Sequence, residues 1–121
     1  MGSEMCIRDS AYAPYSEFLV GAAVLTDDGS IFVGCNVENA SYGLAICAEQ
    51  NAITSAVAEG KQKFIAIAVA ATPLASPCGA CRQFIFEFGD DIQVISVDAT
   101  EPTSRQQWTS KELLPSGFRL D

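Results

Sequence analysis

The sequence has no histidine. That absence removes Ser-His-Asp and Cys-His catalysis, together with any zinc site built on imidazole. A general acid or base at neutral pH must then be a carboxylate, Lys, Tyr or thiol. Long apolar runs are missing too. The longest, Phe64 to Ala71, is eight residues, against the ~20 that a membrane-spanning helix needs, so no membrane span is expected. Basic residues are scarce: Lys and Arg total 7 against 15 Asp and Glu, for a formal charge of −8. Such an acidic surface repels polyphosphates, which argues against nucleic acid as the main ligand and leaves small neutral ligands open. The five cysteines, Cys6, Cys35, Cys47, Cys78 and Cys81, are odd in number and two are three apart. This does not suit a disulfide framework; reduced thiols holding a metal in a cytoplasm fit better.

What is there fits one α/β domain. The 121 residues are 49% apolar and 18% charged, a globular balance. Met1 to Ser10 reads as neither a signal peptide nor a clean helix, and Met5 to Ser10 matches the translation of a common sequencing-adapter oligonucleotide. Residues 1–10 are therefore expected to be a non-native scar, and residues 11–121 the domain.

Leu19 to Thr26 and Ile31 to Asn36 flank an Asp27-Asp28-Gly29-Ser30 turn and predict a β-hairpin. Apolar residues from about Leu44 to Val57 recur at helical spacing, with Gly60 as the stop. Phe64 to Ala71 predicts a buried strand. Ser76 as N-cap and Pro77 at the first helical position predict a helix to about Phe88, ended by Gly89. Ile92 to Val97 predicts another strand. A short strand near Gln106 to Thr109 and a helical turn at Lys111 to Leu114 complete the chain. The two helices join strands that can run parallel, so a mixed sheet covered by helices is expected.

Two segments carry chemistry: Cys47-Ala48-Glu49 and Pro77-Cys78-Gly79-Ala80-Cys81. Three thiolates can occupy three corners of a zinc tetrahedron and leave the fourth for water, which is the catalytic pattern; a closed site would need Cys35 as fourth ligand and is less favoured. Cys78 and Cys81 are i and i+3 in one first helical turn, and Cys47 lies in the first turn of the other helix. Helix N-termini stabilise thiolates by ~0.3–1 kcal/mol each and lower their pKa, which metal binding needs. Glu49, two residues from a ligand, can reach a metal-bound water without binding the metal. A structural zinc knuckle, and a solvated helix carboxylate at Glu49, are the plainer alternatives.

These residues, with Arg82-Gln83, Ala13-Pro14-Tyr15-Ser16, Val20-Gly21-Ala22-Ala23 and Gly34 to Leu44, resemble the small three-cysteine cytidine deaminases. The zinc half of the motif is shared by nucleobase and nucleoside deaminases alike; Asn36-Val37-Glu38-Asn39 marks the free-nucleoside branch. The resemblance implies a three-layer α/β/α fold with a mixed five-stranded sheet, one Zn²⁺ per chain and a homotetramer in the cytoplasm. It also implies hydrolytic deamination of cytidine and 2′-deoxycytidine in pyrimidine salvage, with Glu49 moving the protons. By the same resemblance Asn36 and Glu38 bond the ribose hydroxyls and Phe18 stacks on the pyrimidine. The backbone near Ala48 and Ser76 holds the base edge, and Tyr42 lines the pocket or a subunit contact.

Two departures stand out. Gln50 occupies a position where such proteins usually carry Arg to offset the charge of three thiolates. Arg82, helped by Gln83, is expected to take over that compensation by donating to the sulfurs. The helix that the family carries before Ala11 is expected to be missing. An aminonucleoside-antibiotic (blasticidin-type) deaminase is the nearest competing activity, and a non-catalytic zinc-stabilised module the competing class. Asn36 and Glu38, both suited to a ribose, favour the nucleoside enzyme.

Overall fold

The computed structural model describes residues 2–120. The Asp-Gly turn does what its sequence predicts: β1 (Gly21–Thr26) and β2 (Ile31–Cys35) pair antiparallel around it. Gly29 adopts φ +87°, a left-handed conformation that suits glycine. Asp28 ties the turn to the body through Lys61 Nζ at 2.6 Å. The remaining elements are α2 (Ala48–Ala58), β3 (Phe64–Ala71), α3 (Gly79–Phe86), β4 (Gln93–Asp98), β5 (Arg105–Thr109) and α4 (Ser110–Leu113), with α1 (Ser3–Ile7) before them all.

The five strands form one sheet in the order β2-β1-β3-β4-β5. β3 and β4 run parallel and every other neighbouring pair antiparallel, so the sheet is mixed as expected. Strand alternation assigns its two faces. Ala22, Val24, Ile67, Val69 and Val94 point to the side of α2 and α3 and build the core with Ala52, Ile53 and Ile85, all buried. Gly34 pairs with Ala22 and lies under α2. A Cβ at Gly34 would overlap the Ala52 amide nitrogen and fall 2.7 Å from the Ala48 carbonyl oxygen. The missing side chain therefore sets how deeply the first turn of α2 settles on the sheet.

The opposite face carries a correction. No helix was expected before Ala11, yet α1 and a 3-10 turn at Arg8–Ser10 lie there. The reason is the seat rather than local propensity. Gly21 faces this side, and a Cβ on it would overlap the Glu4 carbonyl and come within 2.7 Å of Arg8 N. The Arg8 side chain also donates to Leu19 O at 3.2 Å. The fit is imperfect: Glu4 is 2% exposed and its Oε2 has no partner, which is costly for a carboxylate.

Both main helices start later than their sequence signals predict. Leu44 closes a 3-10 turn (Tyr42–Leu44), Ala45 is extended and Ile46 is bridged to Val37, so α2 begins only after Cys47. Ser76 and Pro77 stay outside α3, and Cys78 is its N-cap. The tail follows its signals more closely: Thr109 and Glu112 form a reciprocal capping box that starts α4.

Gly34→Ala should therefore lift α2 from the sheet. The expected cost is about 1–3 kcal/mol, read as a fall of roughly 4–12 °C in Tm with a parallel loss of metal affinity, since α2 carries Cys47. An unchanged Tm would show that the helix can slide without penalty.

Candidate active site

β2 and β3 both run antiparallel to β1 and so run parallel to each other. α2 follows β2 and α3 follows β3, so both helices begin at the carboxyl ends of their strands. Cys47 and Cys78 are the two N-caps, both with extended backbone (φ −75°, ψ 155° and φ −67°, ψ 168°). Cys81 is the third residue of α3. The three sulfurs lie within 4.8 Å of one another, with Cys47 and Cys78 at 4.0 Å. A tetrahedral site with Zn–S of ~2.3 Å needs sulfurs ~3.8 Å apart, so the donor set and spacing fit one zinc ion. Only these three residues make such a cluster among the described residues; Cys35 is not part of it.

The electrostatics agree with that use. Hydrogen bonding from Cys81 draws the Cys47 thiol down to about 7, against opposing effects of burial and Glu49. Cys81 is pushed up by the same bond and by its own burial. Cys47, at the N-terminal end of α2, thus gives up its proton more readily than an ordinary thiol.

Glu49, the second residue of α2, is 5% exposed. Burial raises its pKa above the usual carboxylate range, and its hydrogen bonds only partly oppose the shift. It opens onto a cavity of about 230 Å³ shared with Cys47 and Cys78. That is roughly the space of eight waters at ~30 Å³ each, enough for a single pyrimidine ring. Phe18, Val20 and Asn36 line one side, and Ala48, Val69, Ala71, Ala75 and Ser76 the rest. Sequence reasoning missed Val69, Ala71, Val20 and Ala75. Strand alternation through Ile67 was the signal for the first two, because it aims them at the helix side of the sheet.

The other expected residues divide. Phe18, Ala48 and Ser76 line the cavity. The Asn36 side chain lines it too, but also braces the loop carrying Phe18: Nδ2 donates to Phe18 O at 2.9 Å and Oδ1 accepts from Val20 N at 2.9 Å. Glu38 and Tyr42 instead line a separate depression of about 430 Å³ with Tyr15, Ser16, Asn39 and Ala45. The Glu38 carboxylate accepts from the Ser16 hydroxyl and from the Tyr15 and Ser16 amides, which holds its pKa down, the Ser16 hydroxyl contributing most.

Behind the sulfurs the expectation for Arg82 needs correcting. Gln50 Nε2 approaches Cys81 Sγ at 3.8 Å. Arg82 contacts no sulfur; it donates to Pro77 O, Ser76 Oγ and Leu113 O. One residue beyond Cys81, the helix has turned by ~100° and carries the side chain off the metal side. Gln83 donates to Phe118 O at 3.2 Å, likewise away from the thiols.

Comparison with known proteins agrees with this geometry. Residues 2–97 match the family model for the cytidine and deoxycytidylate deaminase zinc-binding region, and the chain belongs to that family. It is 50% identical over 111 residues to a probable cytidine deaminase of Dictyostelium discoideum, covering 89% of this chain and 74% of that protein. It is 44% identical over 114 residues to a cytidine deaminase of Sporosarcina psychrophila, covering 92% and 82%. Among solved structures, cytidine deaminase from Burkholderia pseudomallei superposes with a TM-score of 0.89 at 45% identity, covering 96% of this chain and 94% of that one. The Mycobacterium tuberculosis enzyme gives 0.83 at 37% identity, covering 98% and 94%.

A pH dependence follows from Glu49. Its folded pKa lies above the unfolded value, so the folded state binds more protons across the interval between them. Stability is then full below the ordinary carboxylate range and falls as pH rises through the raised value. Glu49→Gln removes that dependence. Zinc-free Glu49→Gln should melt a few degrees above the zinc-free parent near neutral pH, with the gap closing on acidification; a gap that does not change with pH would contradict a buried, proton-retaining carboxyl.

Proposed function

We propose that the protein is a zinc-dependent cytidine deaminase that converts cytidine and 2′-deoxycytidine to uridine and 2′-deoxyuridine, releasing ammonia. The observation that carries this reading is the buried Glu49 carboxyl, with its raised proton affinity, opening onto a ring-sized cavity beside three converging thiols. A zinc ion held by Cys47, Cys78 and Cys81 supplies the Lewis acidity that makes water nucleophilic near neutral pH. Glu49 takes the proton from the attacking water and delivers it to ring N3. Once the C4–O bond has formed, Glu49 takes the second proton from the new C4 hydroxyl and passes it to the exocyclic amino group; the C4–N bond breaks, ammonia leaves and the C4 carbonyl of the product remains. A carboxyl whose pKa is raised by burial suits both directions of transfer.

Phe18 offers its ring to the pyrimidine. The Ala48 and Ser76 backbone faces the base edge, and Asn36 reaches the ribose. Glu38 and Tyr42 act beside the cavity, where the carboxylate would disfavour a 5′-phosphate and so select nucleosides over nucleotides. Gln50 supports the Cys81 thiolate. The setting is pyrimidine salvage in the cytoplasm.

We further propose a homotetramer. Tyr12 is bridged to Val37, and Val37 to Ile46. These three, with Tyr42 and Leu44, make an exposed apolar patch beside the site, the kind of surface that marks a protein contact. Residues 11–121 are proposed to carry the activity, with residues 1–10 as a non-native cover. Glu4 of α1, buried with its Oε2 lacking a hydrogen-bond partner, supports that view.

Purified protein should carry about one zinc per chain and remove the cytidine absorbance band, with stoichiometric ammonia. Glu49→Gln should keep the zinc and lose at least ~10²–10⁴ of the rate. Zinc without turnover by the parent chain would sink the enzymatic reading. Sedimentation should give four chains per particle, and Leu44→Glu should shift it to smaller species; a monomeric parent would refute the assembly.

A further inference from the structure

Arg82 follows a metal-ligand position, yet its guanidinium is turned to three acceptors on two segments far apart in sequence. Nε donates to Pro77 O at 2.8 Å, Nη2 to Ser76 Oγ at 3.1 Å and Nη1 to Leu113 O at 3.3 Å. Pro77 and Ser76 belong to the loop that precedes α3. Ser76 lines the cavity, and the loop ends on Cys78. Leu113 closes α4, in the chain that follows the edge strand β5. Arg82 itself is in the first half of α3, beside Cys81.

We propose that Arg82 is a positioning residue: its forked side chain locks the cavity rim and Cys78 to the helix bearing Cys81, and fastens both to the chain end after α4. The backbone bond from Arg82 N to Cys78 O at 3.0 Å ties the N-cap to α3, but the Cys78 side chain makes no capping hydrogen bond, and Ser76 and Pro77 are held to the helix through the Arg82 side chain. The geometry needs a planar group with several donors in fixed directions. Lysine supplies the charge but not the fork. This separates a brace from a group that merely offsets thiolate charge.

The same helix is clasped further along its length. Arg119 donates to Phe86 O at 2.8 Å and lies 4.1 Å over the Phe86 ring. That clasp is remote from the rim and serves as a comparison for general loosening of α3.

The test uses zinc-loaded Arg82→Gln, Arg82→Lys and Arg119→Gln. Zinc loss to a chromogenic chelator is timed well below each Tm, and KM and kcat for cytidine are measured on the same samples. KM rests on the deaminase reading, whereas zinc loss does not. Both Arg82 variants should release zinc about tenfold faster or more, the range typical when an outer partner of a metal ligand is removed. Both should raise KM by a similar factor with kcat changed less. Arg119→Gln should lower Tm with a smaller change in zinc loss. Arg82→Lys matching the parent would overturn the proposal in favour of charge alone, and parental release rates in both Arg82 variants would overturn it outright. Should Arg82→Gln not fold, Arg82→Lys, which keeps charge and stem, decides between brace and charge by its release rate alone. If the parent shows no turnover, the deaminase reading falls and the zinc-loss comparison still decides the role of Arg82.

Discussion

The structure depends on bringing two helix N-termini to one point. Each N-terminus leaves N–H groups without intrahelical partners and a partial positive charge. Thiolates are the natural occupants of such a place, and a cation among them completes it. The topology enforces the meeting. β2 and β3 are parallel across β1, β3 and β4 are parallel neighbours, and crossovers of one hand put α2 and α3 on the same face. Both helices then start at the same end of the sheet. Ile53 of α2 and Ile85 of α3, in one buried cluster, hold them there.

Glycine and alanine set the fine spacing. Gly34 and Ala22 under α2, with Ala48, Ala52 and Ala56 on the helix, let backbone approach backbone closely. Larger side chains would move Cys47 and Glu49 outward by fractions of an ångström, and a three-sulfur tetrahedron tolerates little of that. The apolar composition of the chain is therefore weighted toward small residues where the site is supported. Bulk, in Phe64, Ile85 and Phe88, is placed toward the far part of the core.

Much of this was legible in the sequence, for physical reasons that differ by residue. Cys47, Cys78, Cys81 and Glu49 announce themselves because metal chemistry tolerates few spacings. The hairpin was legible because Asp28-Gly29 demands a left-handed turn. The helix starts were misjudged where local signals compete with tertiary ones. Leu44 and Ile46 keep helical spacing, but Val37 captures Ile46 in a bridge. Ser76 and Pro77 look like a helix start, but their polar atoms are held by Arg82. α1 was invisible because its cause lies at Gly21, far along the chain. Arg82 was misread because adjacency in sequence says little about direction on a helix.

The closeness of the three sulfurs has a second face. The Cys47 thiol has its pKa drawn down to about 7, and the Cys78 sulfur is 4.0 Å away. A thiolate beside a second thiol is the arrangement that mild oxidants convert to a sulfenate and then a disulfide. Metal and oxidant thus compete for the same electron pairs. An ion held there would occupy the same sulfur electron pairs that an oxidant attacks, so metal occupancy and thiol oxidation are coupled at one place in the fold.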